Sequence, residues 1–235
     1  MSYYKKKIRL KETYQQREEW WSRVFASPMA DSILHLVADW KLITPNLLTV
    51  GSFLLVLMAS FLIIFDFSSF SLISCIILQV AYILDCMDGQ LARYRGTSSE
   101  LGAFLDKSLD FIKFPFVIFA FTSNSFYQSW DILPIILGFS CLFFVCFLPY
   151  LKEMVKNDFS ISSWHILSKP TFKERNLRFF LFEEAQWYLV ASLCLLFKNS
   201  DLALWIFFGG LSIMTFIQLT RILIILRKRS LSWEK

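Results

Sequence analysis

Six runs of apolar residues, each near the length of a bilayer crossing, restrict this chain to folds that pair their backbone polar groups inside hydrocarbon. The runs cover about residues 45–65, 70–91, 102–121, 132–150, 180–196 and 202–226. Composition agrees: 56% of the 235 residues are hydrophobic and 18% are charged, where a soluble domain carries about a quarter. The expected fold class is an all-α membrane protein with six transmembrane helices and an N-terminal amphipathic juxtamembrane helix. The first forty residues are charged and lack a continuous apolar stretch of the secretory-signal kind. The five cysteines show no paired or zinc-like spacing and read as packing residues.

Charge orients the spans. Lysines and arginines crowd the segment before the first run, the second and fourth connections and the segment after the last run. The first, third and fifth connections hold only Lys198. The positive-inside rule then predicts both termini and the even connections in the cytoplasm. Within residues 1–40, Trp21, Phe25, Met29 and Ile33 recur every four positions. That stripe suits a helix lying along the cytoplasmic surface or one packed on the inner face of the bundle. The expected division is a cytoplasmic amphipathic segment over 1–40 and a six-helix transmembrane domain over 41–235.

Between the second and third runs lies DCMDGQLARYRGTSSELGAFLDKSLD, residues 85–110. Asp85 and Asp88 are three apart and share a helix face; Asp106 and Asp110 are four apart and share another. A short connection makes the two helices antiparallel neighbours, so both acidic faces can address one place. Unpaired carboxylates beside hydrocarbon cost about 2.5–3.5 kcal/mol each even on the lenient insertion scale, so four together need cations. Salt bridges to Lys107, Lys113, Arg93 and Arg95 are the plain solution. A pair of magnesium or manganese ions is the sharper one, since all-oxygen ligands suit hard ions. Two such ions form the usual clamp for displacement at phosphorus. Gly89 and Gly102 permit close approach, Ala92 keeps the surface low, and Arg93 is a cation of the phosphate-binding kind.

The pattern Asp85-x-x-Asp88-Gly89-x-x-Ala92-Arg93, eight residues, then Gly102-x-x-x-Asp106-x-x-x-Asp110, resembles the signature of the CDP-alcohol phosphotransferase family. Pro45-Asn46-x-x-Thr49 is similar to the stretch that often opens the first span in that family. The resemblance implies transfer of a phosphoalcohol or phosphatidyl group from a CDP-linked donor to a hydroxyl acceptor, with release of CMP. It implies metal ligation by Asp85, Asp88, Asp106 and Asp110, two divalent ions, Asp110 as general base, and a homodimer. Asp110 acting purely as a ligand fits the sequence equally well. It implies a CDP/CMP site made from Asn46, Thr49, Asp85, Gly89, Ala92, Arg93 and Gly102.

Lys113, Lys152 and Arg221 are weaker candidates for the acceptor. Pairing with Asp110 is the plain role of Lys113, and the positive-inside rule accounts for most of the other cations. His165, in the fourth connection, reads as a solvated loop residue. Phospholipid headgroup synthesis is the first reading, with membrane lipids as partners and no nucleic acid. A polar inositol-phosphate substrate is the alternative within the same chemistry. A divalent-cation transporter is the rival of another class; its site would sit nearer the midplane on broken or repeated helices.

Overall fold

The computed structural model describes residue 13 and residues 20–65, 67–159 and 184–233; among these the chain is helical, with no strand. A short π-helical turn, Ser22–Ala26, leads into α1 (Ser27–Val37). Then follow α2 (Pro45–Phe65), α3 (Phe67–Arg95), α4 (Glu100–Ser129), α5 (Leu133–Phe159), α6 (Glu184–Leu196) and α7 (Ser200–Trp233). Residues 160–183, with His165 and most of the expected fifth-span entry, lie outside the described residues.

The helix starts are written locally. The Thr44 hydroxyl accepts the Leu47 N–H at 3.3 Å, and Pro45 opens α2, where its missing N–H costs nothing. The Ser99 hydroxyl accepts the Gly102 N–H at 3.0 Å and caps α4. Asn199 Oδ1 accepts the Leu202 N–H at 2.8 Å to start α7. α3 stops at Gly96, whose φ of 67° is the left-handed conformation glycine adopts without strain. There Gly96 N–H donates to Arg93 O and Thr97 N–H to Ala92 O, closing the last carbonyls of α3.

Four stretches are long and apolar enough to cross a membrane: α2, α3, Leu133–Asn157 in α5 and Ser200–Arg227 in α7. The expected count of six is not reached by length and composition alone. α4 has 30 residues, about 45 Å of helix, but five ionisable residues fall between Glu100 and Lys113. The 13 described residues of α6 amount to about 20 Å. The helices also outrun the expected runs: α3 continues to Arg95 and α4 to Ser129. Hydropathy marks the hydrocarbon boundary, whereas a helix ends only where its capping chemistry stops it.

α2 lies against α3 and α4, α6 against α3, and α7 against α4, α5 and α6. Less than half of each crossing stretch is buried, which leaves large side chains such as Leu54, Phe61, Leu72 and Phe139 outward. Small residues recur in the seams, among them Ser52, Ala59, Ser60, Ser71, Ser74 and Ala81, beside larger buried chains such as Ile63 and Leu78. Close backbone approach through small residues is how helices associate when lipid is as apolar as the core. Gly138 shows the limit, because a Cβ there would sit 2.2 Å from Thr122 Oγ1.

α1 packs on α3, but not through the expected stripe. Ala26, Ala30 and Leu34 form its buried seam, whereas Met29 and Ile33 are exposed. Trp21 and Phe25 stack with ring centroids 5.0 Å apart, half-buried at the edge. Small residues let α1 sit close to α3, and the larger apolar chains turn away, so the helix presents apolar surface on two sides. Arg95 fastens its end. Its guanidinium donates to Ala38 O (2.8 and 3.0 Å), Trp40 O (2.7 Å) and Ile43 O (2.6 Å), carbonyls at the end of α1 and in the following turn.

Candidate active site

Residues 96–99 join α3 to α4, but the two are not the closely packed neighbours that the short connection suggests: α2 lies against both, and the motif acids converge beside it. Single carboxylate oxygens of Asp85, Asp88 and Asp106 lie within 4.8 Å of one another. A second group of the same tightness joins Asp85 and Asp110 to Glu184, at the start of α6. Asp85 is common to both. The donors are all carboxylate oxygens, the ligand set that suits a hard divalent cation.

α2 supports these acids from the side. Thr49 Oγ1 donates to Asp88 Oδ2 at 2.6 Å and also contacts its own Pro45 carbonyl at 3.1 Å. Ser52, one turn on, donates to Asp85 Oδ1 at 3.4 Å. Such outer hydrogen bonds fix which way a carboxylate presents its free lone pairs. Lys113 enters from α4: its ammonium donates to Asp110 Oδ1 at 2.7 Å and to Asp85 Oδ1, with the side chain fully buried.

Beside the Asp88–Asp106 end opens a cavity of about 160 Å³. Asn46 and Thr49 line it from α2, Gly89, Ala92 and Arg93 from α3, and Gly102 and Ala103 from α4. The N-terminal turns of α2 and α4 therefore both border it, and helix N-termini favour anions. The glycines act by omission. A Cβ on Gly89 would meet Arg93 Nη1 at 3.0 Å, and one on Gly102 would meet Asn46 Oδ1 at 3.3 Å. Arg93 is steadied by its Nε–H donating to Thr13 O at 2.6 Å.

Of the residues singled out for a nucleotide, Asn46, Thr49, Gly89, Ala92, Arg93 and Gly102 line this cavity, together with Asp88 and Asp106. Asp85 sits behind them in the acid cluster. Of the three acceptor candidates, Lys113 is within the cluster. Lys152 is exposed on α5 and Arg221 half-buried on α7, and neither lines the cavity. Sequence reasoning missed Thr97, Ser98 and Ser99, which complete the lining; three hydroxyls in a row ahead of Glu100 were the available signal. It also missed Ser52 and Glu184. Glu184 was readable as an acid at the mouth of an apolar run, on the side where the other acids lie.

The family model for CDP-alcohol phosphatidyltransferase matches residues 42–160, just over half of the chain, including all four motif aspartates. Archaetidylinositol phosphate synthase of Pyrococcus horikoshii is 36% identical over 90 residues, covering 38% of this chain and 46% of that protein. The bifunctional IPC transferase and DIPP synthase of Aquifex aeolicus is 31% identical over 129 residues, 54% of this chain and 28% of that protein. The CDP-diacylglycerol–glycerol-3-phosphate 3-phosphatidyltransferase of Salmonella typhimurium is 29% identical over 165 residues, 68% of this chain and 88% of that protein. The chain thus spans less than half the length of the first two relatives and most of the third. With its apolar helices and its acid cluster, this chain is an integral membrane protein that belongs to the CDP-alcohol phosphatidyltransferase family.

Proposed function

We propose that this chain transfers a phosphoalcohol group, most simply phosphatidyl, from a CDP-linked donor to a hydroxyl acceptor and releases CMP. The observation that carries the reading is the convergence of the motif carboxylates beside a cavity bordered by two helix N-termini and Arg93. Arg93 and the first turns of α2 and α4 bind the donor's phosphates, and Gly89 and Gly102 let nucleotide and backbone approach closely. Asp85, Asp88 and Asp106 hold a magnesium or manganese ion, with Thr49 and Ser52 orienting the first two. When bound, that ion offsets charge on the pyrophosphate and on the departing CMP. Asp110 accepts the proton of the attacking hydroxyl.

The same reading assigns the acid end of the bundle and both flanking segments to the cytoplasm, counts α4 and α6 as the third and fifth of six spans, and takes residues 41–235 as one catalytic domain. A homodimer follows from the family likeness. The family and the grouping of acids at one end support transfer over cation transport.

A second reading keeps the chemistry but changes the substrates to polar inositol phosphates. It is favoured by the Pyrococcus and Aquifex relatives, whose names concern inositol phosphate and DIPP synthesis. Purified protein given CDP-diacylglycerol or soluble CDP-alcohols with a panel of acceptors separates the two. CMP release that requires both a donor and an acceptor, with the product mass identifying the pair, is the expected result. Acceptor-independent CMP release, or none with any donor, would overturn the proposal.

A further inference from the structure

The two acid groups that share Asp85 differ in what already sits among them. The Asp85–Asp88–Asp106 group borders the cavity through Asp88 and Asp106. The Asp85–Asp110–Glu184 group has a protein cation: Lys113 Nζ contacts Asp110 Oδ1 at 2.7 Å and Asp85 Oδ1. Lys113 lies three residues beyond Asp110 on α4, and helical side chains lean toward the N-terminus, so its stem directs the ammonium back toward the acids. We propose that Lys113 holds the second cation position of this site, so that the chain takes one divalent ion, at Asp85–Asp88–Asp106, where a two-ion clamp would take two. The proposal rests on the metal reading given above.

Three observations combine. The Lys113 ammonium already supplies, at Asp85 and Asp110, the positive charge that a second ion would bring, and it crowds the space between them. Lys113 has no solvent-facing alternative, because its side chain is fully buried. Its neighbour Phe114 stacks on Trp187 at 4.9 Å and meets Phe207 edge-on at 5.2 Å, so the surroundings are aromatic. An ammonium displaced into them would lose its partners without gaining water. Unlike a second ion, a tethered ammonium does not exchange with solution. It keeps Asp110 and Asp85 bridged whatever the metal concentration, and occupancy by metal becomes a one-ion process.

Counting bound Mn²⁺ per chain by EPR on full-length protein in nanodiscs tests this without reference to turnover. The expected result is one ion per wild-type chain and the same count in Asp110→Asn. In Lys113→Ala a second ion is expected, with the broadened spectrum of two neighbouring Mn²⁺ ions. Two ions in the wild type, or a drop from two to one in Asp110→Asn, would overturn the proposal even if Lys113→Ala fails to fold. So would a folded Lys113→Ala that still holds one. No Mn²⁺ bound by the wild type would overturn the metal reading itself, and this proposal with it.

Discussion

The Thr49–Asp88 bond is the shortest of the contacts from α2 to the acids, at 2.6 Å, and it decides how Asp88 faces the cavity. Thr49→Val keeps the shape and removes the donor. Loss of an outer hydrogen bond of this kind typically costs about 10–100-fold in metal affinity, and that is the expected fall in Mn²⁺ affinity by titration, with the helical spectrum unchanged. Asp106→Asn is expected to reduce CMP release by at least about 100-fold, because an amide supplies neither the charge nor the second anionic oxygen to a cation. Gly89→Ala is a steric test: the new methyl would lie 3.0 Å from Arg93 Nη1. The guanidinium has to shift by a few tenths of an ångström within the cavity wall, so CMP affinity should fall while Mn²⁺ affinity stays near wild type. Equal losses of both would mean that Gly89 serves the acid cluster rather than the nucleotide wall.

Among the elements, α1 depends on a residue remote in sequence. Arg95 donates four hydrogen bonds to three carbonyls at the end of α1 and the turn beyond it. Hydrogen bonds to a charged partner are worth about 1.5–3 kcal/mol each at most, and far from additively. Arg95→Met is therefore expected to destabilise the protein by about 2 kcal/mol, read as a Tm lowered by several degrees. Limited proteolysis should show the first new cuts between α1 and α2. The α4–α5 contact makes a second element-level case. In Gly138→Ala the added carbon would come within 2.2–3.0 Å of three Thr122 atoms, and a β-branched side chain cannot clear all of them by rotating. Gly138→Ala should lower Tm, and Thr122→Ser in the same chain should recover part of the loss by removing one of the clashing atoms.

For the whole molecule, the orientation prediction is that reporters placed ahead of α1 and after α7 both face the cytoplasm, checked by accessibility to a membrane-impermeant label. Opposite sides for the two would require an odd number of crossings and would break the charge argument. Much of the architecture was legible because it is local: about twenty apolar residues give a crossing, and a three- or four-residue spacing puts two aspartates on one helix face. The motif pairs, Gly89 and Arg93 belong to that local code. The packing of α3 and α4 does not, because a short connection suggests direct neighbours whereas α2 is the helix that lies against both. The buried seam of α1 was not local. Trp21, Phe25, Met29 and Ile33 have the right period, but whether that stripe or Ala26–Ala30–Leu34 faces inward depends on how closely α3 allows a backbone to approach. Nor could spacing show that Ser52 meets Asp85 from 33 residues away, or that Glu184 joins Asp85 and Asp110. Lys113 was readable as a partner for Asp110, yet its bridge to Asp85 on α3 needed the tertiary packing of both helices on α2. By itself, the sequence determined which residues carry charge into the membrane boundary and which face of each helix they share, since both follow from composition and helical period. Tertiary packing alone decided which of those charges neutralise one another and which remain turned toward a ligand, because that depends on distances between helices that no single helix encodes.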